Sequence, residues 1–352
     1  MSGNMETENL VRKSFADQAI ICGKLGSRFM ENLLSGLAEH LDKSTRTGKC
    51  VLEWPGAPES EKDALALRLA GALHALVRRG ELTELSKYYQ NPVKAAEPDF
   101  LPLVMSTIAE KDDEIFKWLD FAPQTNETAR ASVIYSGLLV LAEKYQLPIS
   151  LFELGSSGGL NLQLAEFGYE FDDKSYGSPR SRVQLNPEWQ GDLPPDVKIE
   201  IVSRNGCDLN PLSVENAQDR EKLVAYLWPD QPARIVRAQA AIEIARKDPP
   251  ALDRADASAW TESAFATTGQ PEMLRVLFHT IAWNYFPQDT KDRITSAMEK
   301  AGSRSREECP LAWLSFEFDE NSQPLLMVKT WPGGEKRVLA SADPHVYGIN
   351  WN

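Results

Sequence analysis

The chain has 352 residues, 42% of them hydrophobic and 25% charged, with a formal net charge of −13. That length is more than one hydrophobic core usually serves, which predicts two domains, and the apolar content excludes a disordered chain. The negative balance argues against a nucleic-acid partner, because such binding rests on Lys and Arg neutralising phosphates, and it points to small-molecule ligands.

Residues 8 to 146 read as helices. Val11, Phe15 and Ile20 suggest a first, and Phe29, Leu33, Leu37 and Leu41 a second. The clearest begins at Ser60, with Asp63 at capping-box spacing. Leu65, Leu69, Leu73 and Leu76 then fall on one face, and Arg78-Arg79-Gly80 closes the end. Residues 97 to 120 add one more helix. A helix over 127 to 145 carries Val133, Ile134, Leu138 and Leu141 on its apolar stripe, with Arg130 on the same stripe one turn earlier. A charge there points inward and needs a partner. The segment before it, Gln124-Thr125-Asn126-Glu127, is unusually polar.

After Pro148 the pattern changes. Ile149 to Leu154 is a short apolar run ending in glycines, which reads as a buried strand. Further strands are expected at Val197 to Val202, just before Ala255, at Met273 to Phe278 and at Leu311 to Phe318, with helices near 212 to 226, 232 to 247 and 289 to 300 between them. This alternation implies a parallel, doubly wound sheet. Leu325 to Trp331, the turn Pro332-Gly333-Gly334 and Arg337 to Ala340 read as a C-terminal antiparallel hairpin, with a last strand over Val346 to Trp351. Residues 172 to 197 are rich in Asp, Gly, Pro and Ser and read as an insertion, either a lid or a surface hairpin. The expected organisation is an all-helical domain over 1–122 and an α/β domain over 123–352.

Cys22, Cys50, Cys207 and Cys309 form no CxxC pair, and the four histidines form no HExxH pair, so neither a disulfide framework nor a metal site is expected. The stretch Met1-Ser2-Gly3-Asn4-Met5-Glu6 lacks a basic-then-apolar leader pattern, and no apolar run reaches the length of a membrane span. The expectation is a cytoplasmic protein.

The glycine turn carries the chemistry. A strand that ends in glycines and opens a helix places bare backbone N–H groups at the helix start, and glycine lets a ligand approach closely. Gly155, Gly158 and Gly159 stand at this point, with Ser156 and Ser157 between them and Glu153 two residues before the first. The spacing fails the dinucleotide fingerprint GxGxxG. It is closer to E-x-G-x-x-x-G, the opening of S-adenosylmethionine (SAM) methyltransferases, with Ser157 where a middle glycine is frequent. The same residues also spell G-x-S-x-G, the nucleophile elbow of α/β-hydrolases, and Ser157, Asp256 or Asp319, and His345 follow the hydrolase order. Position separates the two readings: a hydrolase elbow follows earlier strands, and residues 1 to 146 offer helices instead.

Downstream, Asp208 follows the second expected strand. It can hold ribose hydroxyls or cap a helix beginning near Leu212. Asp256 and Ala257 follow the third strand, where a carboxylate or amide can meet an adenine edge, or Asp256 can cap a helix near Ser258. His279 ends the fourth strand at the switch-point crevice and can act as a general base or serve structurally. Trp283 and Tyr285 follow it and could line an acceptor pocket.

Several segments together resemble one family. They are Gln124-Thr125-Asn126-Glu127 with Arg130; Phe152 through Leu162; Gly206-Cys207-Asp208-Leu209-Asn210-Pro211; Trp228-Pro229-Asp230-Gln231-Pro232; and Trp331-Pro332-Gly333-Gly334. They are similar to the bacterial family with domain of unknown function 2332. The resemblance implies a Rossmann-like core of the SAM-methyltransferase type. On it, Glu153, Gly155, Gly159, Asp208 and Asp256 match cofactor positions, and Arg130 and Asn161 become contacts for the cofactor's carboxylate. The expected function is SAM-dependent methyl transfer to a small molecule, with His279 as the base if one is needed. The competing readings are a non-catalytic binding or scaffold module and a serine hydrolase using Ser157.

Overall fold

A computed structural model describes residues 2–352, with side chains from Met5 onward. Met1, in the stretch read above for a leader, lies outside the described residues. The helices in chain order are α1 (Ser2–Lys24), α2 (Arg28–His40), α3 (Arg46–Leu52), α4 (Leu65–Arg78), α5 (Thr83–Gln90), α6 (Phe100–Glu110), α7 (Asp112–Trp118), α8 (Ala131–Tyr145), α9 (Ala217–Ala225), α10 (Pro232–Ala245), α11 (Ala257–Ala264) and α12 (Gln288–Gly302). The strands are β1 (Ile149–Leu154), β2 (Gly168–Phe171), β3 (Lys174–Gly177), β4 (Gln184–Leu185), β5 (Glu188–Gln190), β6 (Ile201–Asp208), β7 (Ala251–Arg254), β8 (Leu274–Thr280), β9 (Leu311–Phe318), β10 (Pro324–Trp331), β11 (Glu335–Ala342) and β12 (Gly348–Trp351). The chain divides into two compact units, residues 1–125 with 217–236, and residues 126–216 with 237–352. No helix among the described residues is long and apolar enough to cross a membrane.

The first unit is helical. Leu65, Leu69, Leu73 and Leu76 of α4 are all fully buried, as their spacing requires. Gly71 on the same helix sits so close to the Tyr226 ring that a Cβ would fall 2.5 Å from it. Ser60 does not cap α4: the N-cap is Ala64 in a left-handed conformation, and Asp63 instead accepts the indole N–H of Trp54 at 2.7 Å. Ile20 is exposed, and Ala19 and Cys22 hold the inner face of α1 with Val11 and Phe15. The stretch 97–120 forms two helices, α6 and α7, with Lys111 between them. His74 is buried and donates its Nδ1–H to the carbonyl of Ala225 over 3.0 Å.

The second unit is a mixed α/β structure on a nine-stranded, mostly parallel sheet in the order β5-β12-β11-β10-β9-β8-β1-β6-β7. β1 lies between β6 and β8 and is parallel to both. Successive crossovers run outward from β1 toward β7 on one side and from β8 on the other, so the winding reverses between β1 and β8. Crevices at such reversal points, beyond the strands' C-terminal ends, are where open α/β sheets bind ligands. The two faces are covered differently. α8 lies over one, where Gly137 brings its backbone close to Leu314 and Leu326. α11 and α12 bury Phe265, Ile294 and Met298 against Leu154, Cys207 and Leu277 on the other.

The second strand differs from expectation. It covers Ile201–Asp208 rather than Val197 to Val202, because β1 pairs with it from Ile149 opposite Ile201 to Leu154 opposite Cys207. Its polar residues find partners off the sheet pattern: Ser203 donates to Ser150 Oγ at 2.8 Å, and Arg204 bonds Gln163 and Asp248. The C-terminal hairpin extends to an antiparallel meander of β10, β11 and β12 beside β9. The segment 172–197 contributes to a small sheet, β3-β2-β4, and supplies β5, which pairs with β12 at the edge of the main sheet. α11 is the helix near Ser258 for which Asp256 was one candidate cap.

Candidate functional site

The glycine turn stands at the C-terminal tip of β1. Gly155, Ser157 and Gly159 have φ of +67°, +50° and +65°, the left-handed region where glycine carries no steric penalty and serine does. The bare Cα of Gly155 also admits a neighbour: a Cβ there would come within 2.9 Å of the Ala282 side chain. The turn opens a seven-residue 3₁₀ helix, Leu160–Glu166, in place of the expected α-helix. It therefore lacks the long aligned dipole that an α-helix would supply.

Most of the amides expected to face a ligand are bonded within the chain. Ser156 N donates to Cys207 O at 3.0 Å, Gly159 N to Ser156 O at 2.7 Å, and Ser157 N to Asp208 Oδ2 at 2.9 Å. Leu160 N donates to Asn126 Oδ1 at 2.9 Å, while Asn126 Nδ2 donates back to Ser156 O at 3.1 Å. Asn126 is thus a two-pronged clamp across the turn. Gly158 is buried in it.

Side chains on either side of the turn carry the unspent hydrogen-bonding capacity. Glu153 is 2% exposed, and its Oε2 has no hydrogen-bond donor. Burial pushes its carboxyl well above the usual carboxylate range, and the charge of Asp208 adds to the shift. Asn161 is equally buried, and its Oδ1 also lacks a donor. A buried acceptor left without a donor costs about 1–3 kcal/mol. Two such acceptors lie beside the switch-point turn.

Glu127 and Arg130 anchor a second set of polar contacts. Glu127 is buried, accepts Ala129 N and Arg237 Nη2, each at 3.1 Å, and lies 3.6 Å from His345 Nδ1. Arg130 donates Nε to Pro344 O at 3.0 Å and Nη1 to Thr280 O at 3.1 Å. The inward charge read from its helical stripe is thus met by carbonyls. The polar segment Gln124 to Glu127 supplied the signal for the clamp and the buried glutamate, but not their partners.

The two aspartates serve different faces. Asp208 ends β6 one position beyond the Leu154–Cys207 pair, so alternation puts it on the face of Glu153. It accepts Ser157 N and, at 2.8 Å, Asn210 N, and it caps no helix. Asp256 caps α11: its Oδ1 accepts Ser258 N and Ala259 N, each at 3.0 Å. These bonds, the Ser258 hydroxyl first among them, hold its carboxyl below the usual range. Ala257 opens α11 and packs with Leu154 and Cys207 on the opposite face. The structure therefore brings Asp208 and Glu153 to the glycine turn, with Asn161 in the 3₁₀ helix that follows it, and directs Asp256 and Ala257 elsewhere.

Among residues named for a hydrolase, Asp319 accepts Asn321 N and Gln323 N in the β9–β10 turn and Asp256 caps α11. The carboxylate beside His345 is Glu127.

His279 is 1% exposed at the end of β8. Its Nδ1 lies 2.6 Å from Glu317 Oε1, and its ring stacks on Trp283 with centroids 4.9 Å apart. Glu317, on β9, escaped sequence reasoning because it sits in an otherwise apolar alternating run. A carboxylate near the C-terminal end of an inner parallel strand was the available signal.

No curated protein and no solved structure matches the chain. One family model matches residues 12–351, nearly the whole sequence, and its description is "Uncharacterized protein conserved in bacteria (DUF2332)". By this match over nearly its whole length, the chain belongs to the bacterial DUF2332 family.

Proposed function

We propose that this protein is methyltransferase-like, binding SAM at the β1–β8 switch point and acting on a small-molecule acceptor. One observation carries the reading: buried side chains next to the glycine turn hold acceptors that have no donor. Glu153 Oε2 and Asn161 Oδ1 are buried without donors, and the Asp208 carboxylate lies on the same face as Glu153. SAM is a cation with an ammonium group, ribose hydroxyls and an exocyclic amine, all of them donors. These donors complement the unmet acceptors, and the cofactor's own carboxylate would draw its donors from elsewhere. The strand order supports it, since β7-β6-β1-β8-β9 is third-second-first-fourth-fifth among the core parallel strands, the winding of nucleotide-binding α/β folds.

The fit is by side chains and not by amides, because those of Ser156, Ser157, Gly159 and Leu160 are already bonded. Glu153, Asn161 and Asp208 would hold the cofactor, with Asp208 exchanging Ser157 N for a ribose hydroxyl. The cofactor supplies an electrophilic methyl group. The protein's part is to align an acceptor and exclude water. Arg130 acts one step back, fixing the ends of β8 and the segment before β12. Isothermal titration with SAM should give saturable heat that is strongly reduced in Asn161→Ala. Absence of heat at millimolar SAM would refute the reading.

Two observations keep alternatives open to test. The occupied amides favour a non-catalytic module on the same fold. Ser157 at φ +50° has the strained backbone of a nucleophile elbow, although no strand precedes β1 among the described residues to supply an oxyanion loop. Covalent labelling of Ser157 by a fluorophosphonate would establish the hydrolase.

A further inference from the structure

We infer that His279 is a general base held in one tautomer by Glu317 and covered by a strained flap carrying Trp283. The inference rests on the switch point being a reaction site, but not on which cofactor binds there. Glu317 is 5% exposed, and its Oε1 is approached by three donors: His279 Nδ1 at 2.6 Å, Ala282 N at 3.0 Å and Trp283 N at 3.2 Å. A carboxylate accepts only, so the Nδ1 position carries a proton, and in the neutral ring Nε2 then presents a bare lone pair. That Nε2 is buried and has no hydrogen-bond partner. An imidazole kept merely for packing would have both nitrogens satisfied or one replaced by carbon, since an unmet buried acceptor is costly.

The cover over it is under tension. Ile281 follows β8 directly and has φ +49°, a left-handed conformation that strains a β-branched residue. The turn is held by Ile281 N donating to Phe316 O at 2.8 Å and by the two amides on Glu317. These three hydrogen bonds all go to β9, and two of them to the carboxylate that orients the base. The side chain of Ala282 packs at the bare Cα of Gly155, so the flap also abuts the glycine turn. Trp283 lies flat on the His279 ring, and Trp313 closes its edge at 5.9 Å. Opening the 281–286 turn would expose Nε2 beside the glycine turn. There it would take the proton of a substrate hydroxyl as that oxygen reacts, and release it to water afterwards. Glu317 is a positioning residue and Trp283 the gate.

The test reads the side chains directly. Selective ¹⁵N labelling of histidine, with His279→Gln to assign the resonance, should show His279 protonated at Nδ1 and bare at Nε2 at neutral pH. Glu317→Gln, which keeps the acceptor oxygen but loses the charge, should redistribute the tautomers. Diethyl pyrocarbonate acylates bare imidazole nitrogens, and peptide mass spectrometry resolves the site. His279 should react slowly in the wild type, and roughly tenfold or more faster in Trp283→Ala and in Glu317→Gln. Trp283→Phe, which retains an aromatic cover, should stay near wild type and controls for general unfolding. A proton on Nε2, or equal acylation rates in wild type and Trp283→Ala, would overturn the inference. Failure of SAM titration with tautomer and gate intact would remove the cofactor reading alone.

Discussion

Asn126→Ala tests whether the glycine turn is held by one side chain. The substitution deletes the donor to Ser156 O and the acceptor for Leu160 N, at 3.1 and 2.9 Å. Asn126 and Leu160 are both buried, so water does not readily replace the lost partner. Each hydrogen bond contributes about 1 kcal/mol net, and each orphaned group costs about 1–3 kcal/mol. Partial relaxation of the turn leaves an expected loss of about 2–4 kcal/mol for local opening. Hydrogen exchange at the Leu160 amide is the assay, because it reports that opening without requiring the whole chain to unfold in one step. At about 1.4 kcal/mol per factor of ten, exchange should accelerate roughly 30-fold to 1,000-fold. Asn126→Asp keeps the acceptor for Leu160 N and loses only the donor, so its effect should be smaller at Leu160 and fall mainly on the Ser156 side. Unchanged Leu160 protection in Asn126→Ala would refute the clamp.

Two further expectations concern buried ionisable groups. Glu153→Gln should stabilise the ligand-free protein at neutral pH by about 1–3 kcal/mol, since it removes a carboxylate stripped of water, while weakening SAM binding; destabilisation would show that Glu153 is structurally satisfied. The sign follows from its raised folded pKa: the unfolded chain releases this proton first, so stability falls as pH rises above the ordinary carboxyl range, and the variant should lose that fall. His74 behaves oppositely, for burial, aided by Arg78, lowers its pKa from 6.5 to about 4. The unfolded chain then binds the extra proton between those values, so the helical unit should lose about 3 kcal/mol as pH falls from 6.5 to about 4. His74→Gln should flatten that part of the profile in urea unfolding followed by tryptophan fluorescence, and a persistent slope would assign the acid sensitivity elsewhere.

Periodicity was a sound guide wherever one face decided the residue. The leucines of α4, the apolar stripe of α8, and the boundaries of β1 and β9 all follow from burying one side of a helix or strand. It failed at β6, where Arg204, Asn205 and Gly206 make a poor strand by composition. Pairing with β1 and β7 overrides that preference, because the strand is added to a sheet whose backbone groups must be met on both sides. It failed again at Ser60, where capping-box spacing lost to a turn closed by Asp63 and Trp54.

Residue order alone showed helices ahead of the first strand, a strand that ends in glycines at Gly155, and acids and a histidine at later strand ends, but not that residues 217–236 join the helical unit. Those features depend on local conformational preference and on one-dimensional periodicity, which neighbouring residues set among themselves. Which groups still have capacity to bind was settled by packing in three dimensions. The Ser157 amide is taken by Asp208, 51 positions away, and His279 meets Glu317, 38 positions away. Asp256 had two roles open to it from its place in the chain, and the face on which α11 packs selects the cap. Hydrogen-bond satisfaction is a property of the folded neighbourhood. A motif can name the donors and acceptors of a site, but the fold determines which of them remain unspent.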